Sequence, residues 1–116
     1  MHNSITLIGR VGTEIKIYQS EDGKIRTATF RMATSKKWKD KEGIWKEETQ
    51  WHCIVIAGLS SQGIEERIGK GDMIIVTGEL KYREYKKQDV TINIAEIYGS
   101  AKRLIKAKDE VQSTVS

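Results

Sequence analysis

The 116-residue sequence has no proline, one cysteine and one phenylalanine. A lone Cys53 cannot close an intramolecular disulfide, so a reducing compartment is the plain reading. No stretch approaches the roughly 20 apolar residues that a membrane span requires. Met1-His2-Asn3-Ser4 lacks a charged region followed by an apolar run, so no secretion signal is expected and the chain reads as soluble and intracellular. There is no glycine-rich phosphate loop, no CxxC and no HExxH. Cys53 adjoins His52, but neighbours in a strand point to opposite faces, so the two cannot act together directly. Neither His2 nor His52 has a sequence-local partner that suggests a catalytic triad. Catalysis finds little support, and neither a cofactor nor a metal is expected.

The length suits one domain with one modest core, of a size that often gains stability by oligomerising. Lys and Arg number 20 against 16 Asp and Glu, a net charge of +4, and the pI is about 9.2. This mild excess fits a polyanion partner without requiring one.

Strand-like periodicity dominates. Ile5, Leu7 and Gly9 alternate with Thr6 and Ile8 up to Val11, and Ile15 and Ile17 continue the strand past a Gly12-Thr13 break. A glycine there marks a bulge or a bend at a barrel corner. Glu21-Asp22-Gly23 is a turn signal. In residues 25–34, Ala28, Phe30 and Met32 fall on one face and Thr27, Thr29 and Arg31 on the other. Residues 35–48, dense in lysine and acidic residues, read as an exposed hairpin or loop. Further strands are expected at 49–58, 73–83 and 90–98, a short helix at 60–69 and a second charged hairpin at 84–89. The domain is expected to span residues 1–100, followed by a basic, then polar tail at 101–116, disordered after about residue 106. Three strands, a short helix and two strands, with a bend in the first, form the order of an OB-fold, a five-stranded Greek-key barrel.

The aromatic residues stand among cations. Trp38 lies within Lys36-Lys37-Trp38-Lys39-Asp40-Lys41, and Trp45 adjoins Lys46. Burying such a tryptophan would drag its charged neighbours from water. As exposed platforms, indoles stack on any nucleobase, while lysines meet phosphates and release counterions. Lys81, Tyr82, Arg83, Tyr85, Lys86 and Lys87 repeat the mixture, and Trp51 opens the strand between the two hairpins. The bland readings stay open: Trp51 as a core residue, Trp38 and Trp45 as hairpin caps, the lysines as a solvated loop.

Two runs, Ala33-Thr34-Ser35-Lys36-Lys37-Trp38-Lys39-Asp40-Lys41 and Glu47-Glu48-Thr49-Gln50-Trp51-His52, resemble the signature of bacterial and mitochondrial single-stranded DNA-binding proteins. So do Ile5-Thr6-Leu7-Ile8-Gly9-Arg10-Val11-Gly12 and the stretch from Lys70 to Leu80. The resemblance covers residues 3–98 with matching spacing. It implies a homotetrameric OB-fold, with the first strand, including Ile5, Leu7 and Gly9, pairing across one subunit interface and His52 in subunit packing. It further implies bases stacked on Trp38, Trp51 and Tyr85, with Lys41, Lys46, Lys70, Lys81 and Arg83 at backbone-contacting positions. Three departures stand out. Ala57 replaces a frequent aromatic, for which Trp45 is a non-equivalent substitute. The second hairpin is short. The family's flexible linker and acidic tip are missing, which puts recruitment of replication and repair proteins in doubt.

The function expected is sequence-independent binding and protection of single-stranded DNA in replication, recombination and repair, in a cytoplasmic setting (a nucleoid, phage or plasmid) rather than a mitochondrial one. The alternative is a primosome-type OB-fold accessory that bridges replication proteins on DNA. An enzyme using Cys53 and His52, and an OB-fold for RNA or oligosaccharide, are further readings.

Overall fold

The structure, a computed structural model, describes residues 1–107; the end of the expected tail, 108–116, lies outside the described residues. Strands β1 (Ile5–Val11), β2 (Lys16–Gln19), β3 (Arg26–Lys39) and β4 (Trp45–Ala57) come first. A 3-10 turn (Gly58–Ser61) and a one-turn helix α1 (Ile64–Arg67) precede β5 (Met73–Lys87) and β6 (Val90–Ile105). The sheet order is β1-β5-β6-β4-β3-β2, and β1 also pairs with β3, which closes a five-stranded barrel. β4 and β6 run parallel through Cys53–Val55 and Glu96–Tyr98, and the other pairs are antiparallel. This is the expected OB-fold.

The period of two sorts the residues. Ala28, Phe30 and Met32 of β3, Ile54 and Ile56 of β4, Ile74 and Val76 of β5 and Ile97 of β6 fill the barrel, each at most 4% exposed. Ile64 and Ile68, on and just after α1, are buried in the same core. The first strand is interrupted as expected: β1 and β2 both pair with β3, on either side of residues 12–15.

Both expected hairpins are present, while the expected helix and the start of the tail are corrected. Of the two readings of residues 35–48, exposed hairpin or loop, the hairpin holds: residues 35–39 and 45–48 are paired strand, with Lys36 opposite Glu48, Lys37 opposite Glu47 and Trp38 opposite Lys46. Opposite charges facing across a ladder stabilise it, so a charged composition is compatible with a ribbon. The second hairpin is likewise paired up to Lys87 and Val90, leaving Gln88 and Asp89 as a two-residue turn with positive φ at both. The helix expected over 60–69 splits, because Gly63 takes a left-handed φ of 67° between the 3-10 turn and α1. The last strand continues past residue 98 to Ile105, pairing with β5 as far as Met73; residues 101–105 therefore belong to the barrel and not to a tail.

Asp72 fixes this end. Its buried carboxylate accepts hydrogen bonds from the Gly69 and Ala107 amides, each at 2.9 Å. Asp72→Ala leaves those donors unpaired and is expected to cost about 2 kcal/mol, read as a shift in the urea midpoint. Among the described residues, no helix is long and apolar enough to cross a membrane.

Candidate nucleic-acid interface

Alternation along the paired strands gives the barrel an outer face opposite its core. On β4 this face carries Trp45, Glu47, Thr49, Trp51 and Cys53; across from them, β3 carries Lys39, Lys37, Ser35, Ala33 and Arg31. On β5 it carries Lys81, Arg83, Tyr85 and Lys87, facing Glu96, Ile94, Ile92 and Val90 of β6. Eight expected site residues thus share one side: Lys37, Lys39, Trp45, Trp51, Lys81, Arg83, Tyr85 and Lys87. Lys36, Trp38, Lys46, Tyr82 and Lys86 alternate to the other side of their ribbons. Lys41 and Lys70 stand in turns, Lys70 in the one where the Gly71 amide donates to the Val11 carbonyl at 2.8 Å.

Trp51 is no core residue, being 52% exposed. Its six-membered ring rests on the backbone of Gly12, where an added Cβ would lie 2.1 Å from Cζ3. The Gly12 bend is therefore also a seat for the indole. The Arg31 guanidinium lies 5.5 Å from the ring centroid, within cation–π range. Lys39 over Trp45, Arg83 over Tyr85 and Lys81 over Tyr98 repeat the pairing at 5.4, 5.8 and 4.7 Å. Ring and cation side by side offer one nucleotide a stacking surface and a phosphate partner.

Several residues on this face were not picked out from the sequence. Lys16 and Tyr18 of β2 pair with Thr29 and Thr27 of β3 and so join the outer face; the alternation Ile15-Lys16-Ile17-Tyr18 carried that signal. Arg31 was placed on the outer side of its strand but not in the site. Glu96 and Tyr98 come from the last strand, which has few cations to draw the eye. Glu96 is buried and bound to Arg83, with Nε to Oε1 at 3.0 Å, and to the Tyr98 hydroxyl, which donates at 3.4 Å. The bond and the charge of Glu96 raise the Arg83 pKa. Burial, and then the Glu96 charge, push the Tyr98 phenol up.

His52, Ile5, Leu7 and Gly9 sit elsewhere. His52 faces inward opposite Met32, its Nε2 2.8 Å from the Thr34 hydroxyl. Ile5 and Leu7 pack against the core. The Gly9 backbone lies so close to β3 that a Cβ would meet the Ala33 carbonyl oxygen at 2.1 Å. β1 instead turns Ile8, 55% exposed, away from the core.

Burial lowers the His52 pKa below its ordinary 6.5. The unfolded chain then takes up a proton at higher pH than the folded one. The contribution of neutral His52 is whole above about pH 6.5 and is lost as pH falls below it. A small fall in the urea midpoint between pH 7.5 and 5.5 is expected, flattened in His52→Gln; an unchanged slope in that variant removes His52 as its source.

Comparison with known proteins agrees with this architecture. Residues 2–104 match the model of the Single-strand binding protein family. A single-stranded DNA-binding protein of Staphylococcus epidermidis is 29% identical over the whole chain, which covers 86% of that protein. One of Rhizobium meliloti is 35% identical over 89 residues, 74% of this chain, and the match spans only half of that relative. Among solved structures, the Plasmodium falciparum SSB complex with ssDNA superposes with a TM-score of 0.77 at 32% identity, covering 90% of this chain and 95% of that one. The single-stranded DNA binding protein of Thermus aquaticus shares the fold, at a TM-score of 0.75 and 20% identity, over 89% of this chain and 50% of that one. By its barrel and by a family match over residues 2–104, the chain belongs to the Single-strand binding protein family.

Proposed function

We propose that this protein binds single-stranded DNA without strong sequence preference, and that the outer face from Trp45 through Trp51 to Tyr85 carries the strand. The observation behind this reading is Trp51, half exposed on its glycine seat with Arg31 over the ring. Bases stack on Trp51, Trp45 and Tyr85, while Lys37, Lys39, Lys81, Arg83, Lys16 and Arg31 meet phosphates. Trp38 and the cations of the opposite faces serve a longer strand that wraps around the ribbons. The protein acts by binding alone, with no chemical conversion, in the compartment that holds the DNA during replication, recombination and repair.

Assembly as a homotetramer belongs to the same proposal. β5 takes one edge of β1, and β3 pairs with only Arg10 and Val11 on the other. Residues 5–9 therefore offer a strand edge to a second copy, with Ile8 beside it; Ile5 and Leu7 serve the core beneath, and His52 lies inside the barrel.

Intrinsic tryptophan fluorescence tests the binding. Oligo-dT is expected to quench strongly and an equal-length duplex little. With about six phosphates neutralised, the slope of log K on log salt is about −4 for a single strand, so affinity falls about 250-fold between 50 and 200 mM salt. Absence of quenching by oligo-dT at low salt overturns the reading.

A further inference from the structure

A cup of about 440 Å³ on the outer face is lined by three cations, Lys16, Arg31 and Arg83, and by two carboxylates, Glu14 and Glu96. A carboxylate on a surface that meets a polyanion opposes the ligand by its charge. The two are held differently. Glu14 is exposed, and among the described residues it makes no hydrogen bond or ion pair. The Glu96 side chain is only 10% exposed, and three contacts engage it. Oε1 accepts from Arg83 Nε at 3.0 Å and from the Tyr98 hydroxyl at 3.4 Å, and Oε2 accepts from Arg83 Nη2 at 3.4 Å. Both carboxylate oxygens thus grip one edge of the guanidinium, a fork geometry that fixes orientation as well as pairing charge. Glu96 is itself rooted in the barrel wall. It is the register partner of Lys81 on β5 and of Cys53 on β4, so its strand is paired on both sides there.

We propose that Glu96 is a positioning residue of the single-stranded DNA site: acting through Arg83 and Tyr98, it raises affinity for a polyanion that its charge alone would repel. The proposal rests on the reading that this face carries single-stranded DNA. The Arg83 side chain is 55% exposed. Without a partner it would sample many rotamers, and a phosphate contact would have to remove that freedom. Glu96 removes it before the strand arrives. The guanidinium is set 5.8 Å from the Tyr85 ring centroid. Glu96 takes two of its five N–H donors, which leaves three to reach a phosphate. The Tyr98 hydroxyl is tied to the same carboxylate, and Lys81 Nζ lies 4.7 Å from the Tyr98 ring centroid. One carboxylate therefore orders two ring–cation pairs, Arg83 with Tyr85 and Lys81 with Tyr98. Glu14 orders neither, and its charge only subtracts from affinity.

The test is tryptophan quenching by an oligo-dT of about eight residues, within the length an OB-fold spans, with each variant checked for a native melting transition. Glu14→Gln is expected to tighten binding about twofold, which measures the effect of charge alone. Glu96→Ala is expected to weaken it about fivefold, although it removes the same charge. In an Arg83→Ala background, Glu96→Ala is expected to weaken binding by less than about twofold, because the main side chain it positions is gone and a repelling charge is removed. A Glu96 that merely supports the fold would weaken binding equally in both backgrounds, and that result overturns the proposal. So does a Glu96→Ala protein that binds as tightly as the parent or more tightly, as charge alone requires. Should Glu96→Ala lose its native melting transition, Glu96→Gln, which keeps the shape and gives up the charge, is read in the same two backgrounds against the same criteria. Either overturning result leaves the single-stranded DNA reading standing, since the parent still quenches. Absence of quenching with the parent protein overturns both.

Discussion

Trp51→Ala is expected to weaken the binding of a short oligo-dT by about tenfold or more while leaving the melting transition close to that of the parent protein. Stacking of one base on an aromatic ring is worth roughly 1–3 kcal/mol, and 1.4 kcal/mol is a factor of ten. The folded state has less to lose, because half of the indole already faces water and only its contact with Gly12 and Arg31 is given up. Trp38→Ala is the instructive companion. Strand alternation puts Trp38 opposite Lys46, on the side of the ribbon away from Trp45 and Trp51. A strand short enough to occupy the outer face alone should barely register its loss. Only a longer oligonucleotide that follows the ribbon round should feel it. Equal losses from the two substitutions with a short oligo-dT would disprove the placement of the strand on the outer face.

The difference between the two tryptophans shows what the sequence could and could not disclose. Both stand among lysines, and composition treats them alike. The barrel strands were legible because a half-buried strand must alternate: Ala28, Phe30 and Met32 had to turn one way and Thr29 and Arg31 the other. The bend at Gly12 was legible because a glycine breaks the run between Val11 and Ile15. The two projecting ribbons were legible as charged hairpins but not in their register, since neither side of a ribbon beyond the barrel packs on a core, and no apolar alternation marks it. Their order is a backbone ladder that sets residues such as Lys37 opposite Glu47, which in sequence look like a solvated charge run. Without the ribbons' register, the side on which each lysine stands stayed hidden. Glu96 was hidden differently. It comes from the last strand, and its importance depends on Arg83, thirteen residues away in sequence but bound to it across the β5–β6 pair.

The strongest effect on the fold is expected from Gly78. Gly78 and Gly99 are register partners on β5 and β6, and each backbone fills the space where the other's side chain would stand. A Cβ on Gly78 would lie 2.1 Å from the Tyr98 carbonyl oxygen and 2.8 Å from the Gly99 Cα. A Cβ on Gly99 would meet the Thr77 carbonyl oxygen at 2.0 Å and the Gly78 Cα at 2.7 Å. The obstacles are main chain in a paired ladder, so no rotamer relieves them. Close approach of two glycines is how long strands turn a corner in a small barrel. Gly78→Val is therefore expected to cost about 4 kcal/mol or more and to lower the melting temperature by about 15 °C or more. Gly23→Ala is the control: its φ is +73° but nothing lies within 4 Å of an added Cβ, so only the backbone preference is lost, about 1 kcal/mol. Excess oligo-dT separates stability from the binding surface. Ligand that binds only the folded state raises its stability by RT ln(1 + [L]/Kd). If Gly78→Val spares the outer face of each folded molecule, saturating oligo-dT should raise its stability by as much as it raises the parent's. A smaller rise would mean that the glycine pair also shapes the outer face, whose Arg83 and Glu96 lie on the same two strands.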